Sequence, residues 1–156
     1  MSRELLWLTL TVALTGLLWI PYILDRAKVR GLWAAMDNPK PGDTPKSPWA
    51  MRLYFAHTNA VENLMIFAPL VLILDSLNIS TRVTVITCAV YFWARLAHAM
   101  VYTLGVPVLR TLAFTVGFLC QVLQVLAIFG VAYLYGISAT CSSPVVSGKP
   151  CIRFMF

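Results

Sequence analysis

The chain has 156 residues and a formal net charge of +6; 60% of it is hydrophobic and only 12% charged. A soluble domain carries about 25% charged residues, so a mean hydropathy of +0.79 leaves too little polar surface for a globule in water. These figures exclude a disordered chain, a soluble enzyme and a nucleic-acid-binding module, and they point to an integral, multi-pass membrane protein.

A helix needs about 20 mostly apolar residues to cross a hydrocarbon core about 30 Å thick. The first such run, Leu5 to Leu24, is uncharged, with Trp7 at one end and Trp19 and Tyr22 at the other. Aromatic rings at both ends suit the headgroup level. A cleaved signal peptide fits less well, because the run is too long and no small-residue cleavage site follows. From Asp25 to about Ser47 the chain turns polar, with four prolines between Pro39 and Pro48, and reads as a loop outside the bilayer. The second span is expected from about Arg52 to Leu77, the third from about Val83 to Leu104, and the fourth from about Leu112 to Tyr135. Short connections at Asp75–Arg82 and Gly105–Arg110 make neighbouring helices antiparallel. The fold class is therefore all-α: residues 1–136 form one four-helix transmembrane domain, and residues 137–156 a poorly ordered tail rich in Ser, Pro and Cys.

Basic residues orient the bundle. The first loop carries Arg26, Lys28, Arg30, Lys40 and Lys46, with Arg52 at its far end, whereas the second has Arg82 opposed by Asp75. The positive-inside rule puts the first loop in the cytoplasm, together with the third, which carries Arg110. Both termini then lie on the far side.

Spans two and three hold polar groups that a lipid-facing helix would not keep: Arg52, His57, Asn59, Glu62, Asn63, Arg95 and His98. An ionised side chain at the centre of a lone helix costs about 2.5–3.5 kcal/mol on insertion scales. Arg52, Asn59 and Asn63 share a narrow arc with Glu62 on its flank, while Tyr91, Arg95, His98 and Tyr102 share one face of span three. With Arg110 just before span four, these segments are expected to bring their polar residues to one depth, where Glu62 could pair with Arg95. Hydrogen-bonding glue between helices is the plain alternative, at about 0.6 kcal/mol per contact. That alternative suits Asn59 or Asn63 alone. It leaves Arg30, Arg52, Arg95 and Arg110 with Glu62 as the one intramembrane acid to meet, and such a surplus invites a carboxylate-bearing ligand.

The segment R-x4-H-x-N-x-x-E-N, formed by Arg52, His57, Asn59, Glu62 and Asn63, resembles the signature of the MAPEG family, the membrane-associated proteins of eicosanoid and glutathione metabolism. A second block, ARLAHAMVY from Ala94 to Tyr102, is similar to that family's third helix, and Arg110-Thr111 follows at the opening of the fourth. The likeness covers roughly residues 38–132 and leans toward the bacterial members. It implies a homotrimer in a bacterial inner membrane, with glutathione as co-substrate bound between subunits near the cytoplasmic side. It further implies that Arg52, Asn59, Glu62, Arg95, His98 and Tyr102 bind glutathione, Arg30 less securely, and that Arg110, near the sulfur, and Thr111, where a hydroxyl residue is frequent, are catalytic. Membrane lipids and a lipophilic small molecule are the other expected partners; nucleic acid is not one.

Departures from the pattern weigh against an eicosanoid-specific role. Phe55 stands where catalytic relatives usually carry an arginine, and Thr58 where the prostaglandin-forming ones do; the step from Tyr102 to Arg110 is one residue shorter than in some relatives. Cys88 and Cys120 read as packing residues. Cys141 and Cys151 fall on the far side, where an oxidising compartment permits a bridge. Neither His57 nor His98 has a partner at metal-ligand spacing, and no phosphate-binding glycine loop or serine nucleophile motif occurs. Three functions remain open: a glutathione-dependent transferase or peroxidase acting on lipophilic compounds, a non-catalytic protein of the same fold binding a lipid or protein partner, and a transport or proton-relay subunit.

Overall fold

The computed structural model describes residues 1–38 and 47–141. Among the described residues there are six helices: α1 (Arg3–Leu17), α2 (Trp19–Arg30), α3 (Leu32–Met36), α4 (Pro48–Ser76), α5 (Arg82–Leu104) and α6 (Pro107–Cys141). Four stretches are long and apolar enough to cross a membrane: Arg3–Arg30, Pro48–Ser76, Arg82–Leu104 and Pro107–Gly130. The chain is an all-helical, four-span membrane bundle.

Local chemistry sets where each rod starts and stops. The Ser2 hydroxyl accepts the Leu5 N–H and caps α1. At Leu18 the N–H is shared between the carbonyls of Leu14 and Thr15, so α1 and α2 run on as one rod with a local pinch. Proline opens both α4 and α6, where its missing N–H would have had no helical partner anyway. Thr81 and Thr84 form a reciprocal capping box at the head of α5. Gly105, with φ +82°, ends α5 in the left-handed conformation.

These boundaries differ from the sequence expectation in instructive ways. Helix persists through the polar stretch after Leu24 as far as Arg30, and resumes from Leu32 to Met36. Helix α6 begins at Pro107 rather than near Leu112, because the proline suits a first turn, and it continues to Cys141, into the segment expected to be a tail. Residues 142–156 lie outside the described residues, as do Cys151 and the side chain of Cys141, so the bridge between them does too.

Helix α5 is the central rod and packs on α1, α4 and α6. Its inward face carries Thr84, Cys88, Tyr91, Ala94, Arg95 and His98, all buried. Near mid-span Tyr91 stacks flat on Phe67, with ring centroids 3.7 Å apart and planes 9° apart. Leu8, Val71, Cys88 and Cys120 complete this core. The large exposed side chains along α1, α4 and α6 are mostly apolar, as a lipid- or protein-facing surface requires.

Candidate functional site

The antiparallel order gathers the start of α4, the end of α5 and the start of α6 at one end of the bundle. A cavity of about 330 Å³ lies between them, lined by Met51, Arg52, Phe55, Tyr102, Gly105, Val106, Pro107 and Arg110. Arg52 reaches it from the first turns of α4, and its Nε donates to the Thr103 carbonyl at 2.8 Å. That contact occupies a carbonyl at the negative end of α5 and fixes the guanidinium sideways. Arg110 lies across the Tyr102 ring, with Cζ 4.7 Å from the centroid, a cation–π arrangement that orients it without an opposing charge. Among the described residues, no carboxylate lines the cavity.

Behind this cavity, toward the middle of the bundle, lie Arg95 and His98, only 4% and 3% exposed. Arg95 Nη2 donates to Asn59 Oδ1 at 3.0 Å, and its Cζ sits 5.7 Å from the centroids of both Tyr91 and Phe114. Its Nη1 is buried without a hydrogen-bond partner in the protomer. His98 packs edge-on to Tyr102 at 5.5 Å between centroids.

The expected Glu62–Arg95 ion pair is not formed; Asn59 takes the arginine instead. Glu62 is exposed and lines a separate, largely apolar groove of about 470 Å³ between α4 and α6, with Asn59, Ile66, Leu70, Phe114, Phe118 and Gln121 among its walls. Asn59 and Glu62 are three residues apart, about 60° in helical phase, and that angle turns the acid away from α5 and toward α6.

The nine sequence-predicted residues therefore fall into distinct settings. Arg52, Tyr102 and Arg110 meet in the cavity. Asn59 and Glu62 line the groove, and Arg95 and His98 are buried between α4, α5 and α6. Thr111 is exposed; its hydroxyl donates to the Pro107 carbonyl at 3.2 Å, and it lines neither space. Arg30 closes α2 before Gly31 and also lines neither. Arg110, Phe114, Phe118 and Gln121 share one face of α6, so the groove and the cavity lie along the same helical surface.

The expected confinement of polar groups to one depth is also corrected. Buried polar side chains run the length of the bundle. At the end opposite Arg52, Glu4 is 2% exposed, and its Oε1 accepts the hydroxyls of Thr84 at 2.7 Å and Ser80 at 3.0 Å. In between, Gln124 Nε2 donates to Cys88 Sγ at 3.2 Å, and Gln121 Nε2 donates to the Asn63 carbonyl at 3.1 Å. Glu62 is thus not the one acid of the spans, since Glu4 and Asp25 are both buried. Glu4, Gln121 and Gln124 were missed. Two glutamines inside an otherwise apolar run were the available signal, because amides in a membrane helix face partners, not lipid.

The profile of the MAPEG family matches residues 5–130, which is most of the chain. The protein belongs to the MAPEG family. Its four-span bundle is the family's membrane architecture, and membership ties it in general terms to membrane glutathione-related transferase, peroxidase or kindred functions. No individual curated protein matches it.

Proposed function

We propose that this MAPEG protein is a membrane-bound glutathione transferase or peroxidase, with glutathione held in the cavity of Arg52, Tyr102 and Arg110. The observation that carries the reading is the convergence of two arginines and two helix N-termini on one space, with no carboxylate among the described lining residues. Helix N-termini carry partial positive charge and favour anions. Glutathione brings two carboxylates and a thiol, and the planar fork of Arg52 matches a carboxylate.

Arg110 is assigned to the sulfur. A cysteine thiol has a pKa of about 8.5, and an adjacent cation raises its thiolate fraction at neutral pH. In the transferase reaction the thiolate forms a C–S bond to an electrophilic carbon as the leaving group departs with the bonding pair. In the peroxidase reaction it attacks one peroxide oxygen, giving a sulfenic acid and an alkoxide that is protonated to the alcohol; a second glutathione then releases water and the disulfide. The groove beside Phe114 and Phe118 supplies an apolar approach from the bilayer for the lipophilic partner.

Under this reading Arg95, His98 and Asn59 brace the site from behind, and Glu62, Arg30 and Thr111 contact the ligand after assembly as a symmetric oligomer, a trimer by family resemblance. The first loop faces the cytoplasm, with the bacterial inner membrane as the setting. Phe55 favours a second reading, a non-catalytic binder, because its half-exposed ring fills a cavity-wall position where catalytic relatives carry a cation. Titration of purified protein with glutathione, read by thiolate absorbance, together with assays of aryl-halide conjugation and lipid-hydroperoxide reduction, separates the two. Neither activity and no binding at millimolar glutathione would refute the enzyme.

A further inference from the structure

The turn that ends α5 bears directly on how Arg52 is presented. Gly105 adopts φ +82°, and a β-carbon there would meet Arg52 Nε at 3.3 Å and Cζ at 3.4 Å. The first is tighter than most contacts a β-carbon makes, so the guanidinium would have to give by a few tenths of an ångström. The same guanidinium is tied by Nε to the Thr103 carbonyl, two residues earlier in the same turn. The arginine therefore packs closely against a turn whose residue 105 has no side chain. Nε takes up the backbone carbonyl, and among the described residues no hydrogen bond engages the two terminal nitrogens at the cavity.

We propose that Gly105 is a positioning residue: by leaving room for Arg52 against the Thr103 carbonyl, it fixes the guanidinium fork in the orientation that receives an anionic group. The inference rests on the reading of this cavity as the glutathione site. A lysine could not replace the arginine, because an ammonium on a flexible stem has no Nε to anchor. A residue at 105 that tolerates the left-handed turn would still push the fork by a few tenths of an ångström, enough to strain its bond to the Thr103 carbonyl.

Asparagine is the substitution of choice, because it visits the left-handed region far more readily than other side chains. Gly105→Asn thus keeps the turn while adding the β-carbon. Glutathione Kd for the full-length protein in detergent should rise about ten-fold, the equivalent of one charge-assisted hydrogen bond. Arg52→Ala should cost a similar factor, and the double variant no more than Arg52→Ala alone, since both act through one group. Additive losses, or wild-type affinity in Gly105→Asn, would overturn the proposal. Arg52→Lys tests the anchor without touching the turn, and wild-type affinity there overturns it equally.

A ligand-free readout separates this inference from the functional one. In a 15N-arginine spectrum, the Arg52 Nε–H, assigned by its loss in Arg52→Lys, should be protected from solvent exchange in wild type and exposed in Gly105→Asn. Protection unchanged in Gly105→Asn refutes the positioning role. A wild type that binds no glutathione but shows the protected proton refutes only the glutathione reading.

Discussion

The two ends of the bundle handle charge in opposite ways. At one end Glu4 is buried, and the hydroxyls of Ser80, just before α5, and Thr84, in its first turn, are turned onto one of its oxygens. At the other, Arg52 and Arg110 flank an open cavity, and what holds them is a backbone carbonyl and an aromatic ring. Neither of these contacts neutralises a cation. The first arrangement uses a charge to fix one helix against another, whereas the second fixes a charge so that something else can meet it. Position in the membrane does not separate them. The partners do.

Substitutions at each end should therefore fail differently. The largest effect is expected for Arg110→Ala, which removes stabilisation of charge at the sulfur. Turnover in the aryl-halide assay should fall by on the order of 100-fold or more, with glutathione affinity much less affected. A parallel loss of affinity and turnover would mean that Arg110 only holds the ligand. Glu4→Ala should do the reverse, destabilising the bundle by about 1–3 kcal/mol as the buried Thr84 hydroxyl loses its acceptor. Thermal unfolding in detergent would register that loss, while glutathione Kd stays at the wild-type value.

A third pair sharpens the comparison inside the middle of the bundle. Asn59→Ala strips Arg95 of its observed acceptor and should lower stability by about 1.5–3 kcal/mol. Glu62→Gln, on an exposed carboxylate, should leave protomer unfolding unchanged. The opposite ranking would put the ion pair back between Glu62 and Arg95. The smallest expected effect is a gain: Phe55→Arg adds a third cation to the cavity wall and should tighten glutathione binding about three-fold, by isothermal titration. Weaker binding would show that the ring is itself part of the ligand surface.

Much of this was legible before the fold was known. Apolar length located four crossings, and loop lengths dictated antiparallel neighbours, which by themselves bring the flanks of Arg52, Tyr102 and Arg110 together. Helical phase grouped Tyr91, Arg95, His98 and Tyr102 on one face of α5, and that face is turned inward. Phase within a helix does not, however, fix the rotation of that helix against its neighbours. For that reason the sequence could not distinguish Asn59 from Glu62 as the partner of Arg95. Thr111 illustrates the same limit, since one residue beyond Arg110 is a turn of about 100° away from the cavity. Glu4 escaped notice for another reason. It sits just before the first apolar run, where a charge ordinarily marks the edge of a span, and its burial depends on hydroxyls some 80 positions away in the chain.

The rods differ in length, and their shared starting level gives that difference a direction. Contacts of Glu4 with Ser80 and Thr84 level the head of α1 with that of α5. From there the joined α1–α2 rod runs 28 residues and α5 only 23, about 42 Å against about 35 Å at 1.5 Å per residue. The hydrocarbon layer is about 30 Å thick, so the overhang accumulates at the end that carries Arg52 and Arg110. The α1–α2 rod therefore reaches about 7 Å beyond the last turn of α5 on the side of that cavity. Under the proposed function, an opening at the end of the rods rather than at their middle is what lets a water-borne tripeptide and an oil-dissolved compound meet.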